Sequence, residues 1–394
     1  MYIINQGRGP LIEKSRLSES VREERPKFRR VNLVGSAVVT LLLLYAVFHD
    51  QELSEFLAIF HSIDRSLFLL FVSMSLISVG VRAYRYQLLM TGILGPKHTP
   101  SGGKLVIVTA LRNALSDSLP ARLGELAYVY LVNRLGVPVV TGLSTFGLSF
   151  VLDIIVLAGV VAALLAATLA FPGSTAVQVT GLGEVAPGLL VFFIFGLLLI
   201  VTAFFVLLKR MNLVLNLLAR LSSFFLSEHR PNSVAKRIFE KCYSAVYRIA
   251  EDVRLVGSSG RLLSLVTVTL LLRLLKYGSL HILLLAVVTQ WSITHRDIGL
   301  GTSLLSFLSA EASASLPMSG LLGFGAYEGV WSMVFSSLCK ELCAVIPSIP
   351  SVALAVHLIT QVVAYVVGGI ALILFFSVSG ISSGRGRKLR PNVV

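Results

Sequence analysis

Charged side chains interrupt several apolar stretches of this chain, and they are the residues that could do chemistry. Arg82 and Arg85 lie three residues apart in one such stretch, as do Arg273 and Lys276 in another. Residues at this spacing share a helix face, so each pair is expected to present a cationic face. A cation at membrane depth requires a partner or a water-filled cavity, and arginine can hold a phosphate through two hydrogen bonds. The pairs therefore predict a phosphate-binding site, with snorkelling to the interface as the alternative for Arg82 and Arg85.

Acidic residues in the same apolar context supply the opposite charge. The candidates are Glu125, Asp153, Glu311 and Glu328. We expect them to line a polar cavity, in which one acid is a candidate for proton exchange during transport. The alternative is that they pair with basic residues and hold a helix bundle together, as Arg122 can do with Glu125 at a spacing of one helical turn.

Two polar, proline-containing sequences break the apolar pattern, the first from Ser116 to Pro120 and the second from Ser313 to Pro317. Arms of about 15 residues on either side of Pro120 would be roughly 22 Å long, short of the ~30 Å hydrocarbon core. We therefore predict re-entrant helical hairpins at 104–134 and 301–342. A single proline-kinked span is the alternative for the first, and the second arm of 301–342 is long enough to cross the membrane by itself.

These patterns define two sets of candidate site residues. The set expected to bind a lipid headgroup is Arg82, Arg85, Arg112, Arg122, Arg273 and Lys276. The set expected to line or gate the cavity is Asn113, Asp117, Ser118, Pro120, Glu125, Asp153, Glu311, Ser315, Pro317 and Glu328.

The two halves of the chain also share motifs in the same order. The matching motifs are Arg82-x-x-Arg85-Tyr86 with Arg273-x-x-Lys276-Tyr277, and Ser116-x-Ser-Leu-Pro120 with Ser313-x-Ser-Leu-Pro317. We predict a duplicated unit of span, broken hairpin and span, inverted in its second copy because an odd number of crossings separates the two. Inverted repeats with broken helices are a transporter architecture, whose site lies where the breaks meet. The two Ser-Leu-Pro tips should therefore meet near the membrane centre, close to Glu125 and Glu328.

Composition sets the class of protein. Of 394 residues, 55% are hydrophobic and only 14% are charged, against about 25% charged in a typical soluble domain. The chain is predicted to be an all-α membrane protein with about six spans. The net charge of +14 comes largely from basic clusters beside apolar segments, which is typical of cytoplasmic loops and argues against nucleic-acid binding.

The same features predict the order of regions along the chain. A basic cytoplasmic tail (1–30), a first membrane half (31–208), a cytoplasmic amphipathic connector (209–261), a second membrane half (262–378) and a basic cytoplasmic tail (379–394) follow one another. The spans are expected at 31–48, 66–90, 142–171, 189–208, 262–289 and 351–376.

No enzymatic pattern stands out in the sequence. It contains neither a Walker loop nor Gly-x-Ser-x-Gly, and its histidines and three cysteines are scattered without metal-ligand spacing, so we expect no cofactor and no catalysis. His357 and Gln361, one turn apart on the last predicted span, are interpreted as interhelical hydrogen-bonding residues.

Short motifs resemble the membrane region of lysylphosphatidylglycerol synthases, which also occurs in free-standing flippase-like proteins. The first half carries Asn113, Leu119-Pro120, Arg122, Gly124-Glu125, Gly136 and Asp153, and the second half carries Leu316-Pro317, Gly323-Phe324-Gly325 and Glu328. The resemblance implies a bacterial inner-membrane protein that moves lipid between leaflets, with both termini cytoplasmic by the loop charges. The synthase domain is not expected here, and Leu152 stands where the family often has Arg before the Asp.

Three functions follow, in order of preference. The first is a lipid translocase for a phosphate-bearing lipid, with anionic or polyprenyl-phosphate lipids as partners. The second is a non-transporting scaffold for a lipid-modifying or envelope-glycolipid pathway. The third is a membrane-embedded lipid transferase. A homodimer and an envelope-pathway enzyme both stay open as partners.

Overall fold

The computed structural model describes residues 53–116, 126–170, 234–314, 323–339 and 344–378, with a few isolated residues elsewhere. Within these stretches the chain forms no β-strand, as predicted. The helices are α1 Leu53–His61, α2 Arg65–Leu94, α3 Gly102–Ser116, α4 Ala127–Arg134, α5 Val139–Ala170, α6 Val234–Ser258, α7 Leu262–Val288, α8 Leu300–Ala314, α9 Ala326–Leu338 and α10 Ile349–Val378.

Four of these helices are long and apolar enough to cross a bilayer, and all four lie where the sequence predicts a span. They are Arg65–Leu94, Val139–Ala167, Leu262–Trp291 and Ile349–Ser377. The chain is therefore an all-α, multi-pass membrane protein. The two other predicted spans (31–48 and 189–208) and the two terminal tails lie outside the described residues, apart from isolated helical positions.

The first broken segment consists of two short helices, α3 and α4, that pack against each other. Helix α3 has 15 residues and α4 has eight. At 1.5 Å per residue α3 is roughly 22 Å long, too short to cross the ~30 Å core. Both lengths agree with a hairpin, while the side of the membrane that it enters stays a prediction.

The second broken segment is built in the same way from α8 and α9. Helix α8 also has 15 residues, and the arms contact each other through Ser313 Oγ, which donates to the carbonyl oxygen of Ala326 at 3.0 Å. Whether the second arm crosses the membrane by itself stays a prediction. The described helix of that arm is α9. It has 13 residues and ends at Leu338, so at 1.5 Å per residue it reaches only about 20 Å.

Helices α2 and α7 form the most extensive helix pair and run antiparallel. Early residues of α2 meet late residues of α7, as where the amide nitrogen of Asp64, the residue that caps α2, donates to Ala286 at 3.0 Å. Near the other end of the pair, Arg85 reaches Thr269 at 3.3 Å. Because these helices carry the two related basic motifs, an antiparallel arrangement is what the predicted inverted repeat would require.

The apolar core of the described residues lies in two clusters, each centred on one half of the chain. The first-half cluster joins buried residues of α2 to α5 with Val256, Leu265, Ala371 and Phe375 of later helices, and the second-half cluster joins residues of α7 to α10 with Ile59 of α1 and Phe71 of α2. Gly368 of α10 brings the halves together, since a Cβ at this position would overlap that of Ala114 on α3. Only glycine allows this close approach between the last span and the first broken segment.

The connector helix α6 lies where the sequence predicts an amphipathic helix (233–254). It packs on α5, where Ser144 Oγ donates to Asp252 Oδ2 at 2.7 Å. Tyr247 and Arg254 are exposed on the helix. Its placement on the cytoplasmic surface stays a prediction.

Candidate functional site

A cavity of about 240 Å³ lies between the two broken segments and three of the spans, α2, α7 and α10. Ser116 ends α3 and Ala314 ends α8, and both line the cavity together with Gly323, which precedes α9. The two broken segments therefore converge on one polar space, as their pairing in the sequence predicts. The tips themselves lie outside the described residues.

The first wall of the cavity is cationic. The side-chain oxygen of Asn113 accepts a hydrogen bond from Arg82 at 3.4 Å and another from Arg112 at 3.3 Å. Arg112 comes from the broken helix α3, whereas Arg82 comes from near the middle of span α2. Among the described residues, no carboxylate pairs with Arg82. This wall can therefore bind an anion at membrane depth, where an anion without a cationic partner would be costly.

The second wall combines a cation with an acid. Lys276 Nζ of α7 lies 2.5 Å from Glu311 Oε1 of α8. The hydroxyl of Tyr277 donates to the other oxygen of Glu311 at 3.3 Å. Both charged side chains keep part of their surface exposed to the cavity, so they pair without being sealed from it.

A buried acid and a histidine form the third wall. Glu328, near the start of α9, is fully buried, and its Oε1 lies 2.5 Å from His357 Nδ1 on α10. The other ring nitrogen, Nε2, lies 3.3 Å from the side-chain nitrogen of Gln361. His357 and Gln361 both face the cavity. The prediction that they make interhelical hydrogen bonds is confirmed for His357.

Arg85, Asp153 and Arg273 form a separate group, which we call the arginine–aspartate cluster. Arg85 donates to both carboxylate oxygens of Asp153, at 2.6 and 3.1 Å, and Arg273 lies 3.1 Å from the same carboxylate. Hydroxyls of Ser149 and Thr269 accept further hydrogen bonds from Arg85. None of the three charged residues lines the cavity. The cluster joins α2, α5 and α7, which is the charge-pairing role foreseen as an alternative.

This arrangement corrects the prediction that each basic pair presents a common cationic face. Arg82 and Lys276 turn to the cavity, whereas Arg85 and Arg273 turn to Asp153. A headgroup role for Arg85 and Arg273 therefore has no support from this geometry. Seven further candidate residues lie outside the described stretches: Asp117, Ser118, Pro120, Arg122, Glu125, Ser315 and Pro317.

Hydroxyl groups of the cavity escaped the sequence analysis. Ser75 and Ser78 line the cavity on the same side of α2 as Arg82, and Thr360 lies beside His357 on α10. The signal was present, since Ser75, Ser78 and Arg82 recur at three to four residues in an otherwise apolar helix. Serine and threonine are so common in membrane helices that this spacing alone does not distinguish a cavity from a helix contact.

Comparison with known proteins gives one match. A family model described as Lysylphosphatidylglycerol synthase TM region matches residues 32–371. This range contains the cavity and the arginine–aspartate cluster, and it agrees with the resemblance seen in the sequence. Neither a curated protein nor a solved structure matches the chain.

Proposed function

The chain belongs to the family of the lysylphosphatidylglycerol synthase transmembrane region, and from this premise we propose that it moves a phosphate-bearing lipid between the leaflets of a bilayer. Family membership places the chain among membrane proteins of lipid-related processes. The specific activity, translocation without covalent change to the lipid, is our inference from the cavity.

Arg82 is the observation that carries this proposal. It lies deep in a membrane span and faces the cavity, and its one hydrogen bond to a described residue is a long one to Asn113. A guanidinium at this depth is costly unless a ligand or water satisfies it. A phosphate can accept two hydrogen bonds from it, which makes a lipid headgroup a fitting ligand.

The remaining walls suggest how a headgroup is passed through the cavity. A polar headgroup in hydrocarbon loses its hydrogen bonds to water, and the cavity replaces them with hydroxyl and charged groups. The ion pair of Lys276 with Glu311 can exchange partners with a zwitterionic or anionic headgroup, because both side chains reach the cavity. The acyl chains would stay in the surrounding lipid.

The proposal includes a setting for this activity. We place the protein in the bacterial cytoplasmic membrane with both termini inside, acting on anionic or polyprenyl-phosphate lipids without a cofactor and without catalysis. The positive-inside distribution of lysine and arginine supports the orientation. The partners that we expect are a second copy of this chain, in a homodimer, or an envelope-pathway enzyme.

Leaflet exchange of a fluorescent lipid tests the proposal. The purified protein would be reconstituted into vesicles of phosphatidylcholine and phosphatidylglycerol with tail-labelled phosphatidylglycerol, or labelled polyprenyl phosphate, as the probe. A membrane-impermeant quencher then reports the outer-leaflet fraction over time. Substituting Arg82→Gln should slow exchange by roughly tenfold or more, because a lost charge-assisted hydrogen bond is worth about 1.5–3 kcal/mol.

Arg65→Gln is the matched control for this substitution. Arg65 is the same residue type on the same helix, but it is exposed at the start of α2 and does not line the cavity. Exchange by this variant should equal that of the unaltered protein. If neither probe exchanges faster than in protein-free vesicles, the translocase proposal fails and the scaffold becomes the better interpretation.

A further inference from the structure

Glu328 is held by one contact at each of its carboxylate oxygens. It has no exposed surface, and its Oε2 accepts a hydrogen bond from the backbone N–H of Gly325 at 2.6 Å. Gly325 adopts φ +87°, a left-handed conformation that suits glycine, and this turns the N–H toward the carboxylate. One oxygen is therefore fixed by the start of α9, which leaves the other for His357.

His357 connects this buried acid to the cavity. Its Nδ1 lies 2.5 Å from Glu328 Oε1, and its Nε2 lies 3.3 Å from Gln361. The rings of Tyr327 and Phe324 lie on the imidazole with centroids at 4.2 and 4.7 Å, which fixes its plane. Among these groups, His357 and Gln361 line the cavity together with Tyr327, whereas Glu328 does not.

Gln361 can serve either protonation state of His357, because its amide carries both a donor and an acceptor. When the amide N–H points at Nε2, that nitrogen accepts, and Nδ1–H donates to the carboxylate of Glu328. When the amide turns over, its oxygen can accept from Nε2–H, and the imidazole then carries a second proton. The oxygen and nitrogen of an amide have nearly the same shape, so both states fit the same space.

Other charges around the cavity favour coupling of this proton to an anionic ligand. Glu328 and Tyr327 on α9 contact His357. The other described titratable groups around the cavity are Arg112 on α3, Lys276 on α7, Glu311 on α8 and Arg82 on α2, with Tyr277 of α7 behind Glu311. His61, on the neighbouring α1, is exposed. A phosphate that enters beside these cations adds negative charge and so stabilises a protonated His357. Such coupling is reciprocal, so the proton also favours the bound phosphate.

We propose that His357, held by Glu328 and Gln361, is the proton-binding site of the cavity, and that lipid transfer is coupled to proton transfer across the membrane. This inference rests on the proposed function. A proton from water on one side forms the N–H bond at Nε2, and the same bond breaks to water on the other side. The protein is thus returned unchanged, with one proton moved for each cycle.

A leaflet ratio measured under a pH gradient tests the coupling. The protein would be reconstituted into the phosphatidylcholine and phosphatidylglycerol vesicles with tail-labelled phosphatidylglycerol, a gradient of one pH unit would be imposed, and the membrane potential would be held at zero with potassium and valinomycin. If one proton moves with each lipid, the steady ratio between leaflets should shift by about tenfold, and its direction distinguishes symport from antiport. A protonophore should return the ratio to its value without the gradient.

Two variants assign the proton to this site. His357→Gln and Glu328→Gln should each leave the leaflet ratio insensitive to the gradient, and the second keeps the size and hydrogen-bonding capacity of the side chain if the first does not fold. The matched control is His281→Gln. His281 is a partly buried histidine on span α7 whose Nδ1 lies 2.8 Å from Ser303 Oγ, away from the cavity. The His281→Gln variant should retain the shift of the leaflet ratio with the pH gradient.

The outcomes separate the two proposals. One outcome is that lipid exchanges faster with the unaltered protein than in protein-free vesicles while the leaflet ratio does not change with the pH gradient. In that case the coupling is overturned and translocation stands. If no lipid exchanges, translocation is overturned and the coupling with it. If His281→Gln abolishes the shift as His357→Gln does, the assignment to His357 is wrong.

Discussion

The arginine–aspartate cluster and the cavity use the same kinds of side chain in opposite ways. In the cluster, Arg85 makes four hydrogen bonds, two to Asp153, one to Ser149 and one to Thr269. In the cavity, Arg82 has one long hydrogen bond to Asn113 among the described residues. Both arginines lie on α2, one turn apart. A guanidinium paired with a carboxylate stabilises the bundle, whereas one that has no carboxylate partner among the described residues and lies beside a polar space is available to a ligand.

The related helix α7 divides its two cations in the same way but in the reverse order. Arg273 joins the cluster and Lys276 lines the cavity, whereas on α2 the first residue of the motif lines the cavity and the second joins the cluster. Antiparallel packing of α2 on α7 explains the reversal, because it sets the end of one motif beside the start of the other. The two similar motifs thus contribute side chains to one structural site and to one open site.

The largest difference between the two regions should appear on removal of an acid. Asp153→Asn leaves two arginines deep in the bundle without a carboxylate, which costs about 3–5 kcal/mol for a buried pair. Glu311→Gln leaves a single cation, Lys276, which lines the cavity and is 26% exposed, so this substitution should cost clearly less than the loss of Asp153. Thermal unfolding in detergent measures both. Equal losses would contradict the distinction between cluster and cavity.

A smaller effect should follow when arginine is replaced by lysine. Lysine cannot make the forked contact, so Arg85→Lys should lose at least one charge-assisted hydrogen bond, worth about 1.5–3 kcal/mol. Arg82→Lys should cost less stability than Arg85→Lys, because Arg82 makes only one long hydrogen bond among the described residues, to Asn113, while it slows lipid exchange. The same melting experiment, followed by the exchange assay, compares the two. A stability loss at Arg82 as large as at Arg85 would show that both serve the bundle.

The smallest expected effect concerns Asp252, an acid outside the spans. It tests how burial, as opposed to ion pairing, changes the pH dependence of stability. Burial raises the pKa of Asp252, although Ser144 and Thr141 donate hydrogen bonds to it. A carboxyl whose pKa is higher folded than unfolded adds stability at acidic pH, and this is lost as pH rises from the unfolded to the folded value. Asp252→Asn should therefore flatten the pH dependence of melting in that window, with a change of about 0.5 kcal/mol or less at neutral pH.

Asp297 provides the control of opposite sign. Hydrogen bonds from the backbone and side chain of Thr294 lower the pKa of this exposed loop carboxyl. Its stabilising contribution is present above the unfolded pKa and is lost as pH falls through the folded value. Asp297→Asn should lower the melting temperature slightly at neutral pH and have less effect at acidic pH. If both variants respond in the same direction, local hydrogen bonding does not explain the difference between these acids.

Much of the fold could be predicted from the chain alone. Long apolar runs gave α2, α5, α7 and α10 nearly to their ends, because a membrane helix of this length is required by the thickness of the bilayer. The polar, proline-containing sequences predicted the positions of the two broken segments. Helix α9 ends at Leu338, and whether the second broken segment crosses the membrane stays a prediction.

The sequence identified most of the charged residues of the candidate site, but not which of them lie together around the cavity. Arg82, Arg112, Asn113, Lys276 and Glu311 were all singled out, and all five line the cavity. Their neighbours three residues away were assigned to the same surface, because a helical spacing fixes relative direction but not which neighbouring helix fills it. His357 and Gln361 were recognised as polar contacts, yet their place beside the cavity depended on α9 and α10 meeting.

The sequence by itself determined that this is a multi-pass helical membrane protein with two broken segments and a set of charges at membrane depth. Those features follow from local composition and helix length, which need no knowledge of neighbouring elements. The tertiary structure decided which charges cancel and which stay available. Asp153 can neutralise Arg85 and Arg273 only because three helices bring their side chains within 3.1 Å, and such distances arise from packing between segments far apart in the chain.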